Sequence, residues 1–195
     1  MTARTLVRRY WPLGLIAAAI AACYPAFHYL VDFRPPDVPF VTTPSDVVAA
    51  MLDLGDVSGT DTVYDLGSGD GRIVLAAARD RGATAVGVEI DPALVDRSRA
   101  AIQTAGLTDR ASVRRGDIFK QDLSRATVVM LFLKPDVNAR LRSQLDTCPP
   151  GTRVVSHMFS MPGAKPAKKV AIQSTEDGLE HTLYLWVTPI EWEGK

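Results

Sequence analysis

Asp65, Glu89 and Asp117 are acidic residues at intervals that could arm one binding site. Asp65 leads into the turn Gly67-Ser-Gly-Asp-Gly71, Glu89 follows about twenty residues later, and Asp117 opens the stretch Asp117-Ile-Phe119. Glycines in such a turn let the backbone approach a ligand that a Cβ would hold off. The spacing Gly67, Gly69, Gly71 departs from the dinucleotide pattern, whose third glycine would fall at Arg72, and no Lys-Ser/Thr ending marks a P-loop. Asp65 and Asp70 beside a helix N-terminus would repel a pyrophosphate and suit a cationic ligand.

S-adenosylmethionine, positive at its amino group and its sulfonium, meets these requirements. Asp65 would reach the amino group, directly or through water, while Gly67, Ser68, Gly69 and Gly71 cradle the cofactor. Glu89 stands where an acid grips both ribose hydroxyls. Asp117 would accept from the adenine amino group, with Ile118 or Phe119 against the ring. Asp91, followed by Pro92, reads as a helix cap instead of a ligand.

Such a constellation requires strands that end at one crevice. Ser45 can cap a helix with apolar positions Val47, Val48, Met51 and Leu52. Strands are expected over 62–66, 83–90, 112–114, 127–133 and 153–157, with helices over 73–79, 92–105 and 137–145 among them. This alternation predicts a mostly parallel sheet with its ligand crevice at the carboxyl ends of the strands. The last two strands, 170–174 and 182–187, are joined by too short a connection for a crossover helix and should pair antiparallel. The expected fold is therefore α/β, Rossmann-like, of the class I methyltransferase type, with seven strands and a C-terminal antiparallel hairpin.

The whole chain has 195 residues, 22 Lys or Arg against 22 Asp or Glu, and 47% hydrophobic residues, which excludes disordered and collagen-like classes. Zero formal net charge supplies no overall basic field, so no nucleic-acid partner is expected. Cys23 and Cys148 lie far apart with no zinc spacing, and no metal site is expected. Residues 1–12 form a short basic N-terminus, 13–31 an uncharged hydrophobic stretch of about bilayer-crossing length, and 32–39 a Pro-rich linker, leaving 40–195 as the catalytic domain. The stretch reads as an N-terminal hydrophobic helix that associates the protein with a membrane. Arg4, Arg8 and Arg9 would keep the N-terminus in the cytoplasm and so put the domain outside. The intracellular supply of the cofactor outweighs this, and a cytoplasmic catalytic domain is expected.

Val63-Tyr-Asp-Leu-Gly-Ser-Gly-Asp-Gly71, Gly87-Val-Glu-Ile-Asp91, Asp117-Ile-Phe119, Leu133-Lys-Pro-Asp-Val-Asn138 and Gly151-Thr-Arg-Val-Val-Ser-His157 together resemble one family. It is the family of seven-β-strand lysine methyltransferases acting on the ATP synthase c-subunit and the adenine nucleotide translocase. The resemblance covers most of residues 40–159. It implies a protein-lysine N-methyltransferase whose partner is a protein substrate, an integral membrane protein. In that family the segment similar to Pro39-Phe-Val-Thr-Thr-Pro44 helps cover the cofactor, which brings in Thr42 and Thr43. Thr42 stands where the family usually has proline.

Methyl transfer to nitrogen is an in-line displacement that chiefly needs positioning and exclusion of water. A lysine acceptor, with a reference pKa of about 10.4, must first lose its proton, which an apolar channel beside a positive sulfonium favours. The acceptor wall is expected from Phe132, Pro135 and Asn138, with Phe40 opposite. Asn138 could equally make local hydrogen bonds, and His157 at a strand end could be a proton acceptor or a structural histidine. His181 has no motif around it. Phe132-Leu-Lys-Pro135 replaces the Asn/Asp-Pro-Pro-Tyr usual for nucleobase amines and glutamine. Cys148 falls in the wrong loop for pyrimidine carbon methylation. A small-molecule or phospholipid methyltransferase and a noncatalytic cofactor-binding protein remain the alternatives.

Overall fold

A computed structural model describes residues 40–193. Its helices are α1 (Ser45–Leu54), α2 (Arg72–Arg81), α3 (Pro92–Thr104), α4 (Pro135–Arg140) and α5 (Arg142–Leu145). Its strands are β1 (Thr62–Leu66), β2 (Thr84–Glu89), β3 (Ala111–Arg115), β4 (Val128–Leu131), β5 (Arg153–His157), β6 (Lys168–Gln173) and β7 (Glu180–Val187). They form one sheet in the order β3-β2-β1-β4-β5-β7-β6. β1 to β5 pair in parallel, whereas β7 runs antiparallel to both β5 and β6, as the short β6–β7 connection requires.

The strands carry apolar side chains on both faces because helices cover both. Val128 and Met130 pack with Val47, Met51, Val74 and Val95 on one side, and Val129 and Leu131 pack with Val137, Leu141, Leu145 and Trp186 on the other. This double burial accounts for the near-continuous apolar run of β4, where alternation would mark a half-exposed strand. Chain order reverses between β1 and β4, and at such a switch point the loops beyond the strands' carboxyl ends part to leave a crevice.

Some expectations need correction. The helix expected over 137–145 is two short helices, α4 and α5, meeting at the buried Leu141. Pro135 opens α4, since its fixed φ suits the first helical position and its missing N–H would have no partner there. Ser45 does not cap α1: Pro44 holds that position, and the Ser45 backbone N–H and hydroxyl donate to Glu176 instead.

Residues 1–12, 13–31 and 32–39, on which the N-terminal segments were expected, lie outside the described residues. The expected membrane-associated localisation, with a cytoplasmic catalytic domain, is corrected. Among the described residues no helix is long and apolar enough to cross a membrane.

Candidate methyl-transfer site

The turn between β1 and α2 takes its shape from three left-handed glycines, Gly67, Gly69 and Gly71, with φ of 81°, 55° and 80°. A Cβ on Gly69 would lie 2.5 Å from the Phe40 ring, and one on Gly71 3.0 Å from Ser98 Cβ. Other side chains would therefore be strained in conformation and collide as well. Phe40, in the segment before α1, thus rests on the glycine turn. The turn is tied to β2, with Gly67 and Ser68 donating to the Val88 carbonyl at 2.9 and 3.0 Å.

Glu89, at the end of β2, is buried and accepts from three backbone N–H groups. Gly69 donates to Oε2 at 2.8 Å, and Ile90 and Asp91 donate to Oε1 at 2.7 and 2.9 Å. A carboxylate offers about four acceptor positions. About one is left for a ribose hydroxyl, and gripping two would displace a backbone donor.

Asp65 sits at the switch point, pairing in register with Gly87 of β2 and Met130 of β4. It is only 3% exposed, and its Oδ2 has no hydrogen-bond partner among the described residues. Burial, reinforced by the charges of Glu89 and Asp70, pushes its pKa up to about 8. Asp70, grouped with it at the sequence level, behaves differently. Burial opposes its ionisation, but Arg72 donates Nε and a terminal nitrogen to it at 3.0 and 2.7 Å and holds its carboxyl below the ordinary range. Of the two, Asp65 is the carboxyl left to meet a ligand cation, since Arg72 offsets Asp70.

Asp117 and Asp91 are both caps. Asp117 Oδ1 accepts from the Phe119 N–H at 3.0 Å, closing a 3-10 turn over Ile118–Lys120, and Asp91 Oδ1 accepts from Ala93 at 2.8 Å. Ile118 and Phe119 are half-buried against the core on the α4 face, with Arg140 stacked 3.9 Å from the Phe119 ring centroid.

Asn138 on α4 is fully buried. Its Nδ2 lies 3.4 and 3.5 Å from the Phe159 and Ser160 carbonyls and 3.5 Å from Ser156 Oγ, while Oδ1 has no partner among the described residues. Phe132, half-buried beyond β4, stacks on Phe159 with centroids 6.3 Å apart. Asn138 and Phe132 therefore meet at Phe159. Pro135 is exposed at the start of α4 and is explained by starting it.

Thr43 is buried, with its carbonyl accepting from Arg72 at 2.7 Å and its hydroxyl 3.3 Å from His157 Nδ1. Its polar atoms are thus engaged by protein groups, and Thr42 beside it is exposed. The sequence reading missed both the Arg72 tie and the pairing of His157 with His181. Neither has a sequence signal, because the partners are far apart along the chain. Cys148 lies buried at the amino end of β5, away from the crevice, and burial pushes its thiol up to about 11.

Four buried side-chain polar atoms lack partners among the described residues: Asp65 Oδ2, Ser68 Oγ, Asn138 Oδ1 and Arg81 Nε. Three belong to the expected site. Since buried polar groups are ordinarily paired, a ligand that supplies a cation and hydrogen-bond donors fits this crevice. No group of His, Cys, Asp and Glu suited to a metal ion occurs among the described residues.

The ANTKMT methyltransferase domain model matches residues 65–168. A protein-lysine N-methyltransferase from Saccharolobus islandicus is 46% identical over 155 residues, covering 78% of this chain and 94% of that protein. The chain belongs to this methyltransferase family. The mouse adenine nucleotide translocase lysine N-methyltransferase is 40% identical and the Xenopus laevis ATP synthase c-subunit lysine N-methyltransferase 37%, over 55% and 67% of this chain. The match spans 48% and 56% of those two proteins, about half their length. A crystal structure described as an RNA methyltransferase from Salinibacter ruber, bound to S-adenosyl-L-homocysteine, is 47% identical with a TM-score of 0.72, covering 80% of this chain and 98% of that one. The protein is an S-adenosylmethionine-dependent methyltransferase. The resemblance read from the sequence motifs and the cofactor read from the acid constellation both hold.

Proposed function

We propose that this methyltransferase transfers the methyl group of S-adenosylmethionine to the ε-amine of a lysine in a protein substrate. An integral membrane protein is the first candidate, on the strength of the substrates named for the mouse and Xenopus relatives. The observation that carries the reading is the 46% identity to a protein-lysine N-methyltransferase over 94% of that protein. Asn138, whose Nδ2 reaches the Phe159 carbonyl and whose Oδ1 has no partner among the described residues, is consistent with it.

Asp65 would hold the cofactor's amino group, Glu89 a ribose hydroxyl and Asp117 the adenine amino group, with the glycine turn against the cofactor's aminoacyl end and Phe40 over the turn. The bound cofactor supplies an electrophilic methyl on a sulfonium. The aromatic wall of Phe132 and Phe159 excludes water and favours the neutral amine over the ammonium. Asn138 Oδ1 would accept an amine N–H, turning the nitrogen lone pair toward the methyl for in-line displacement. No covalent enzyme intermediate is required.

The description of the Salinibacter ruber protein favours a second reading, transfer to RNA. Against it stands Phe132-Leu-Lys-Pro135 in place of the usual base-amine motif. The buried Cys148, at the amino end of β5, is also out of reach for uracil carbon methylation. The test incubates the full chain with tritiated S-adenosylmethionine and separated host membranes, soluble proteins, lipids and RNA, beside a Glu89→Ala control. Methyl-lysine after acid hydrolysis, absent with the control, supports the proposal. Counts confined to RNA or lipid, or no methyl-lysine in any fraction despite cofactor binding, overturn it.

A further inference from the structure

Four residues that no sequence motif connects form a hydrogen-bonded line from the crevice to the surface. Thr43 Oγ1 lies 3.3 Å from His157 Nδ1, and His157 Nε2 lies 2.8 Å from His181 Nδ1. His181 Nε2 lies 3.1 Å from Asp177 Oδ2. Thr43 and His157 are buried and Asp177 is exposed. At the inner end the His157 ring packs on Phe132 with centroids 4.1 Å apart, which places it against the aromatic wall of the acceptor site.

The order of partners assigns the protons. Asp177 can only accept when ionised, so His181 carries its proton on Nε2 and presents Nδ1 as an acceptor. His157 then donates from Nε2 and accepts at Nδ1 from the Thr43 hydroxyl. The hydroxyl oxygen keeps a lone pair for a further donor. Every link points the same way, from the crevice outward.

We propose that Thr43, His157, His181 and Asp177 form a proton exit that deprotonates the incoming lysine. The inference rests on the lysine reading above. The ammonium N–H bond breaks as a proton passes to Thr43 Oγ1, whose own proton moves to His157 Nδ1. The His157 Nε2 proton moves to His181 Nδ1, leaving an imidazolium beside the Asp177 carboxylate. Loss of that proton to water completes the step, and the net change is lysine ammonium to neutral amine plus a solvent proton. No redox change occurs.

The surroundings favour this direction. Burial, then the neighbouring His181 and against the pull of Asp177, lowers His157 to about 4, so it stays neutral and conducting through the physiological range. The Leu179 N–H first, and His181 after it, hold Asp177 below the ordinary carboxylate range despite some burial, so it is ionised as the terminal counter-charge. The groups packed against the line are Phe132 from just beyond β4 and, at its inner end, the Arg72 guanidinium of α2, which donates to the Thr43 carbonyl and is paired with Asp70. Asp46 and Glu176, the other acids near that loop, are engaged with Ser174, Thr175 and Ser45, which pins the loop to the start of α1.

The experiment measures the initial rate of tritiated methyl transfer into lysine of host protein at saturating cofactor, from pH 6.5 to 10. Wild type is compared with His157→Gln and Asp177→Asn. S-adenosylhomocysteine affinity and thermal unfolding serve as checks on the fold. The exposed Asp177→Asn keeps the test available if His157→Gln does not fold. The relay requires at least about a tenfold loss for Asp177→Asn near pH 7, shrinking to less than about twofold near pH 10, where much of the lysine arrives neutral. A merely structural role lowers the rate by one factor at every pH, and that result, or superimposable profiles, overturns the relay while leaving lysine transfer intact. Wild-type protein that labels no lysine overturns the acceptor reading and the relay with it.

Discussion

Replacing Asp65 by asparagine tests whether the buried carboxyl is the cofactor's cation site. With its pKa pushed to about 8 by burial and by its acidic neighbours, Asp65 is about nine-tenths protonated at pH 7. A cationic amino group is held by the ionised form, so binding at pH 7 should release about 0.9 proton per cofactor. If only the ionised form binds, apparent affinity rises about ninefold between pH 6 and pH 7. The cofactor's own amino group stays largely protonated over that interval, so the slope belongs to Asp65. Calorimetric titration in buffers of different ionisation enthalpy reads the proton release directly. S-adenosylhomocysteine, which keeps the amino group and lacks the sulfonium charge, should release the same proton, whereas 5′-methylthioadenosine, lacking the amino group, should release none. Asp65→Asn should abolish the release, flatten the pH dependence and cost the affinity of a charged hydrogen bond, about 1.5–3 kcal/mol. The sign for stability is opposite. A carboxyl whose pKa rises on folding is stabilising below its unfolded value of about 3.8, and that contribution drains away as pH climbs toward 8. Asp65→Asn without cofactor should therefore raise the melting temperature at pH 7, with up to about 4 kcal/mol at stake. Cofactor affinity that is level from pH 6 to 7 in wild type, with no proton released, would refute the reasoning.

Further outcomes follow from the same geometry. Glu89→Gln replaces one acceptor oxygen by an amide that cannot accept from the three backbone donors together. Cofactor affinity should fall by about tenfold or more, as measured by S-adenosylhomocysteine titration. Gly87→Ala places a Cβ 2.6 Å from Ser68 Oγ and 2.9 Å from Val113 Cγ2, and denaturant unfolding should show a loss of about 1–3 kcal/mol. Arg153→Ala removes the cationic partner of Asp61 at the amino ends of β1 and β5; because Ser58 and Thr127 still donate to Asp61, it should cost about 1–3 kcal/mol in the same assay with cofactor affinity little changed. Cys148 should resist alkylation at pH 7.5 in the folded protein and react once denatured, as read by peptide mapping, because its thiolate is scarce and its sulfur buried.

Local chemistry carried much of this protein in its sequence. The glycine spacing marked a turn open to close approach of a ligand, and the alternation of strand and helix patterns called for a mostly parallel sheet. The short link between the last two strands demanded an antiparallel pair. These features depend on neighbours within a few residues, so type and spacing reveal them. The placement of Asp65 and Glu89 side by side at one edge of the sheet was legible for a related reason: Asp65 lies one residue before the end of β1 and Glu89 ends β2, and parallel strands bring their ends together whatever the loops do.

Tertiary structure decided what those acids meet. Asp70 looked equivalent to Asp65 in sequence, yet Arg72 reaches back to pair with it while Asp65 is shut in beneath the turn. Asp117 spends a carboxylate oxygen on its own 3-10 turn. Thr43, His157 and His181 stand more than a hundred and more than twenty residues apart, joined only because β5 and β7 pair and the segment before α1 folds across them. Hydrogen bonds between such distant residues leave no periodicity to read. Burial, which moves Asp65 up and His157 down, is likewise a property of the packed whole, because it depends on which side chains exclude water from a group and not on the group's neighbours in the chain.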